Sequence, residues 1–157
     1  MNKSILASAL ILASTSAFAL EGDHWINLHI GSQHSDPGFY EDDTNDFYEY
    51  EESNPGIGYE YEATDNKSFR VGTYRNSLAE QSVYLGGNFH TKYTDGIAVG
   101  VMLGLSTGYE RQYGMTVTGI VLPNVMVIIA PVRIELGYVP AIGKFGSVAT
   151  LTAGIQF

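Results

Sequence analysis

The chain reads as an all-β protein, an eight-stranded antiparallel β-barrel of the transmembrane kind found in bacterial outer membranes. Three observations predict it. Apolar residues alternate with small or polar ones in eight successive segments, and no helical period competes. Most of these segments approach the ~9–11 residues that a tilted strand needs to cross a bilayer. The chain also starts with an export signal. Composition agrees: of 157 residues 45% are hydrophobic and 16% charged, with 18 Gly, 11 Tyr and no Cys. That balance fits neither a collagen, a disordered tail nor a helical membrane protein. A net charge of −9 excludes a nucleic-acid partner, because a phosphate-binding face needs clustered Lys and Arg. The lack of Cys removes disulfide scaffolds, thiolate metal sites and a cysteine nucleophile together.

Residues 1–19 are expected to be a cleaved signal peptide. Lys3 supplies a basic start, Ile5 to Ala13 an apolar stretch, and Ala17-Phe18-Ala19 the small-residue pattern before Leu20. The apolar stretch is too short for a spanning helix of ~20 residues. Cleavage leaves one domain, residues 20–157, of 138 residues (157 minus 19) and net charge −10, since only Lys3 departs.

The strands follow in order. Ile26, Leu28 and Ile30 oppose Asn27 and His29. Ile57, Tyr59 and Tyr61 oppose Gly58, Glu60 and Glu62. Phe69, Val71 and Thr73 oppose Arg70, Gly72 and Tyr74, and Val83, Leu85 and Phe89 oppose Ser82, Tyr84 and Asn88. Ile97, Val99, Val101, Leu103 and Leu105 oppose Ala98, Gly100, Met102, Gly104 and Ser106. The segment 116–129 is broken by Pro123 and Asn124; a proline cannot donate to the ladder, so it marks a bend, a bulge or an open seam. Val132, Ile134, Leu136 and Tyr138 oppose Arg133, Glu135 and Gly137. Ala149, Leu151, Ala153, Ile155 and Phe157 oppose Thr150, Thr152, Gly154 and Gln156.

A water-soluble sandwich would alternate in the same way. The polar faces decide for a barrel in lipid: they carry Gly, Thr, Tyr and isolated ions such as Arg133 and Glu135, not the Lys/Glu-rich exterior of a soluble sheet. Closure also removes the unpaired edges that lipid penalises. Arg133 and Glu135 are expected to form an ion pair inside. Tyr59, Tyr61, Tyr93, Tyr109, Tyr113 and Tyr138 stand near strand ends, where interfacial girdles form. With the N-terminus on the periplasmic side, the outer loops fall near 33–54, 76–81, 107–114 and 139–146, and short turns near 63–68, 90–96 and 129–131. The barrel is expected to be a monomer.

The first outer loop, 33–54, holds eight carboxylates between Asp36 and Glu52 and no Lys or Arg. Such a cluster can hold Ca²⁺ or Mg²⁺ through oxygen ligands, but the Gly and distant Glu of an EF-hand loop are missing. A solvated loop is the simpler expectation, and no metal site is assigned.

Few residues can do acid–base or nucleophilic work. By topology His29 points inward near the outer end of the first strand, and Asn76 and Ser77 stand where the third strand leaves the wall. A base and a hydroxyl on one rim are the minimum that acyl transfer needs, with donors for the developing oxyanion.

Several segments resemble the lipid A palmitoyltransferase (PagP) family of outer-membrane enzymes. Ile26-Asn27-Leu28-His29-Ile30 is similar to the strand that carries that family's essential histidine. The run from Tyr50 to Tyr59, ending Gly56-Ile57-Gly58-Tyr59, resembles its entrance to the second strand, and Arg75-Asn76-Ser77 falls where the family has Lys-Asp-Ser. Val121-Leu122-Pro123, Pro131-Val132, Gly137-Tyr138-Val139-Pro140 and the closing strand to Phe157 keep the family's order. The resemblance implies a catalytic His29 and Ser77, with Asn76 at the position of the family's aspartate. It implies no cofactor, and membrane lipids, a phospholipid and lipid A, as partners. It further implies an acyl chain drawn into the barrel beside Ala98, Gly100, Met102 and Gly104, through a wall opened by Pro123 and Pro131. Two departures stand out: asparagine carries no charge to stabilise an imidazolium, and only residues 20–23 precede the first strand, where the family has an amphipathic helix.

The leading expectation is therefore a phospholipid-to-lipid A acyltransferase. The alternatives are a non-enzymatic small barrel serving adhesion, cation binding or surface masking, and a lipid A deacylase, to which Gln33-His34-Ser35-Asp36 points.

Overall fold

The computed structural model describes residues 22–41, 44–141 and 146–157. The signal-peptide expectation, and Asp42 and Asp43 of the acidic loop, lie outside them. Ten strands form: β1 (Asp23–His34), β2 (Gly38–Tyr40), β3 (Phe47–Glu49), β4 (Ser53–Thr64), β5 (Lys67–Arg75), β6 (Gln81–Thr94), β7 (Ile97–Thr107), β8 (Val117–Ile129), β9 (Val132–Val139) and β10 (Val148–Gln156), with a short helix α1 (Glu110–Tyr113) between β7 and β8. Eight of them close an antiparallel barrel in the order β1-β10-β9-β8-β7-β6-β5-β4, and β2 and β3 make a separate hairpin. The expected strand count and pairing are observed.

Alternation determines which residues face which way. Phe69, Leu85, Val121 and Ile129 project outward with 60–76% of their surface exposed, as a lipid-facing wall requires. The lumen receives the other face. Its half at the short-turn end is filled by side chains, as an eight-stranded barrel allows: Trp25, Asn27, Glu60, Arg70, Arg133 and Glu135 are all buried there.

Those ions do not pair as the sequence suggests. Arg133 and Glu135 point inward two residues apart on β9, too far along one strand to meet head-on, and each crosses the lumen instead. Arg133 pairs with Glu60 of β4, while Arg70 of β5 forks onto Glu135 at 2.8 and 2.7 Å and places Nε 3.0 Å from Glu60. The Arg133 guanidinium also lies over the Trp25 ring at 4.4 Å. Four charges from three strands thus form one network across the barrel.

The tyrosines divide as well. Tyr93 and Tyr138 are exposed at opposite ends of the wall, as a girdle requires. Tyr109 and Tyr113, in contrast, line the interior at the outer mouth, because the β7–β8 connection folds inward through α1.

Loop 33–54 is built, not merely solvated. Its strands β2 and β3 pair Phe39 with Tyr48 and Tyr40 with Phe47, and Asn45 takes the left-handed conformation at the turn, φ 59°. His34 stacks on Tyr50 at 4.1 Å, Phe39 stacks beside both Tyr48 and Tyr50, and Arg111 of α1 covers the Tyr48 ring at 4.8 Å. The Glu51 N–H donates to the Ser77 carbonyl at 2.8 Å, and the Ser35 N–H to the Ser147 carbonyl at 2.9 Å. The loops are knitted over the outer mouth. Among the described residues no group of three or more His, Asp or Glu converges as metal ligands would.

Candidate functional site: a side-opening cavity in the outer half

Above the ion network the barrel is hollow. A cavity of about 460 Å³ occupies the outer half, within the ~300–1,000 Å³ of small-molecule sites. Its lining is mixed. Met102, Ile120, Leu122, Val139 and Val148 contribute apolar surface, and His29, Arg70, Tyr74, Tyr84, Glu135 and Thr152 contribute polar groups.

The ladder of the wall beside Ile120 and Leu122 is interrupted among the described residues. β8 pairs with β7 from Val117 to Val127. Its pairing with β9 covers only Asn124–Ile129, ending at the Asn124–Gly137 pair. Among the described residues, 117–123 therefore have no strand partner on the β9 side. Pro123 stands at the break and has no N–H to continue the ladder. The cavity reaches this edge, for it touches Gly119 and Val121, which alternate outward, as well as Thr118, Ile120 and Leu122, which alternate inward. This break in the β8–β9 ladder is a seam beside the cavity. Pro131 opens nothing: it belongs to the tight turn between β8 and β9, and pairing is complete on both sides of it, Ile129 with Val132 and Val132 with Ile155.

His29 is the last inward residue of β1 before a register shift between His29 and Gly31. A bulge re-aims the chain, so that Ser32 and His34 also line the cavity mouth. Both ring nitrogens of His29 are engaged. Nε2 lies 2.9 Å from the Tyr84 hydroxyl, and Nδ1 lies 3.3 Å from the Thr152 hydroxyl.

Ser77 lines the same cavity but bonds elsewhere. It lies against the Tyr109 hydroxyl, which is 3.0 Å from that of Tyr74; the Tyr74 ring in turn packs 5.4 Å from His29. Two tyrosines thus stand between base and serine. Burial, reinforced by Tyr113 and Asp36, pushes the Tyr50 phenol up to about 12, so that at neutral pH it is an uncharged partner for Gln112 at the mouth.

Asn76 is fully buried, and its side chain ties its own loop to β6 and to the β7–β8 connection. Its Oδ1 accepts from the Leu78 and Glu80 N–H groups, both at 2.9 Å, and its Nδ2 donates to the Gly108 carbonyl and to Ser82 Oγ. A carboxylate could accept from the two N–H groups but could not donate to Gly108. Asn76→Asp is therefore expected to destabilise the barrel by about 1–3 kcal/mol, through a buried carbonyl left facing an anion. It should not raise acyl transfer; a urea midpoint unchanged from wild type contradicts this account of Asn76.

The small-residue stripe of β7 splits between the two halves. Met102 lines the cavity and Ser106 lies above it. Ala98 and Gly100 sit below, opposite Met126 and Asn124 in the packed half, and Gly104 contributes no side chain. Of Ala98, Gly100, Met102 and Gly104, Met102 lines the cavity, where Ile120 and Leu122 of β8 join it. Tyr84, Tyr74, Thr152 and Arg70 belong to the site too. Their signal in the sequence was the inward register that already marked His29.

No protein-family model matches the chain, and no curated protein sequence does. Solved structures do. A de novo designed transmembrane β-barrel superposes with a TM-score of 0.57 at 15% identity, covering 87% of this chain and 96% of that one. The N-terminal β-barrel domain of Pseudomonas aeruginosa OprF superposes with 0.52 at 15% identity, covering 87% and 98%. The Yersinia pestis outer membrane protein Ail is also similar, with 0.45 at 13% identity over 87% and 100%. The fold is that of a small outer-membrane barrel. At these identities the likeness extends to the fold alone.

Proposed function

We propose that this chain is an outer-membrane barrel that admits one acyl chain of a membrane lipid through the β8–β9 seam and transfers it to lipid A. The seam carries the reading: a strand edge in lipid is costly, and here an edge with no strand partner among the described residues borders a cavity lined by Met102, Ile120, Leu122 and a histidine. In the reaction His29 takes the proton of the acceptor hydroxyl as its oxygen attacks the ester carbonyl of the donor. The carbon–oxygen bond to the lysophospholipid breaks, and the proton passes to that leaving oxygen. Hydroxyls of the Ser77–Tyr109–Tyr74 row are the donors available to the oxyanion. No cofactor enters, and the barrel works as a monomer exported to the outer membrane.

One observation favours a second reading. His29 already has a partner on each nitrogen, and Asn76 is consumed by its loop, which suits a barrel that binds an acyl chain without transferring it. Mass spectrometry of lipid A from cells producing the chain, beside cells lacking it, separates the two. An added acyl mass supports transfer. A folded barrel with unchanged lipid A overturns transfer in favour of binding, and a lost acyl chain replaces it with hydrolysis.

A further inference from the structure

We infer that Tyr84 is a positioning residue for His29, holding the imidazole proton on Nε2 so that Nδ1 faces the cavity as the basic nitrogen. The inference rests on the proposed acyl transfer for its consequence but not for its geometry. Four residues lie in one row across four strands: Asn27 of β1 pairs with Gly58 of β4, Gly58 with Gly72 of β5, and Gly72 with Tyr84 of β6. The two glycines leave a slot in the inner wall. The Tyr84 ring lies in it, reaching back over β5 and β4 towards β1. A Cβ added at Gly72 would stand 2.6 Å from that ring, and one added at Gly58 would collide with its hydroxyl. No side chain fits under Tyr84, so its position is set by the backbone.

The hydroxyl meets Nε2 at 2.9 Å, with the rings edge to face at 86° and 5.2 Å apart. Tyr84 is 3% exposed, so water does not compete for this bond. On the other nitrogen, Thr152 is the register partner of His29 and lies at 3.3 Å, at the long end of a hydrogen bond. Both Thr152 and His29 line the cavity. The short contact is held by the ring's slot over Gly58 and Gly72; the long one is the contact that an incoming hydroxyl can replace. A neutral imidazole has one donor and one acceptor nitrogen. If Nε2–H donates to the Tyr84 oxygen, Nδ1 is left to accept the proton of the acceptor hydroxyl. A partner on the far nitrogen that sets tautomer and ring orientation is the service that a carboxylate gives in other histidine sites. Here Asn76 cannot give it, because its amide is taken up by Leu78, Glu80, Ser82 and Gly108.

Tyr84→Phe tests this, since it keeps the ring in the slot and removes the hydroxyl. With ¹⁵N-histidine barrel in detergent micelles, the wild type should show His29 protonated on Nε2, and Tyr84→Phe a mixture of tautomers. In the lipid A assay the variant should lose roughly 10–100-fold in kcat with little change in KM. Gly72→Val, which keeps the hydroxyl but displaces the ring, should reproduce both effects; heat-modifiable migration on gels identifies variants that fail to fold. A wild-type His29 protonated on Nδ1, or a Tyr84→Phe variant with unchanged tautomer and rate, overturns the inference. If the wild type adds no acyl chain, the proposed function falls while the tautomer measurement still decides the role of Tyr84.

Discussion

Glu60→Ala is expected to lower the unfolding free energy of the barrel by about 3–5 kcal/mol. Glu60 has no exposed surface. It receives the Asn27 amide at 2.9 Å and the Ser68 hydroxyl, stands 3.0 Å from Arg70 Nε, and pairs with Arg133. Removing it leaves two buried guanidiniums facing one carboxylate, Glu135, which is already held by Arg70 on both oxygens. Arg133 would keep only the Asn27 carbonyl oxygen at 3.0 Å and the face of Trp25. The cost is an uncompensated buried charge, which is larger than the net worth of the pair itself. Glu60→Gln keeps the shape and an acceptor and should fall between wild type and Ala. Urea unfolding of the micelle-embedded barrel measures it: the midpoint should drop at unchanged slope, and an unmoved midpoint would show that the network does not hold the lumen together.

His29→Ala should lower transfer of the acyl chain to lipid A by roughly 10²–10⁴-fold, the usual contribution of a positioned proton-transfer group. Folding should lose about 1–3 kcal/mol, because the buried Tyr84 hydroxyl loses its His29 partner, so transfer is compared at equal amounts of folded barrel. Ser77→Ala should cost less. Ser77 lies two tyrosines away from His29, so its loss weakens a hydroxyl row and removes no base. Quantitative mass spectrometry of lipid A from cells with matched barrel levels gives the ratio. Equal losses in both variants would mean that the serine moves to the histidine when substrate binds.

Most of the wall was legible in the sequence because lipid outside and side chains inside impose a period of two on every strand. Ile97 to Leu105 and Val132 to Tyr138 could hardly be read otherwise. The open seam was half legible: Pro123 marked where hydrogen bonding must fail, but only the register shows that β9 stops pairing there. Pro131 carried the same signal and proved to be a turn, since a proline at a strand end removes nothing from the ladder. The site was less legible than the wall. Inward register found His29, yet the partner of His29 sits three strands away in the closed sheet, and no spacing in the chain announces that Tyr84 crosses two glycines to reach it. Asn76 looked like an exchanged catalytic group; the structure shows an amide whose donors and acceptors its own loop requires. Arg133 and Glu135 were identified as buried ions, but their partners came from Glu60 and Arg70 on strands far away in sequence. Aromatics flanking a short acidic turn, Phe39-Tyr40 and Phe47-Tyr48, were the unread sign of the β2–β3 hairpin.

The central claim is that an acyl chain passes through the seam into the outer half of the barrel. A phospholipid carrying a photoreactive diazirine in its acyl chain tests it most directly, with adducts mapped by mass spectrometry after irradiation of barrels in lipid nanodiscs. The account predicts adducts on the inward residues Met102, Ile120 and Leu122, in addition to the lipid-facing surface, and none on Met126 in the packed half. Adducts confined to lipid-facing residues such as Leu103, Leu105 and Val121 would contradict it.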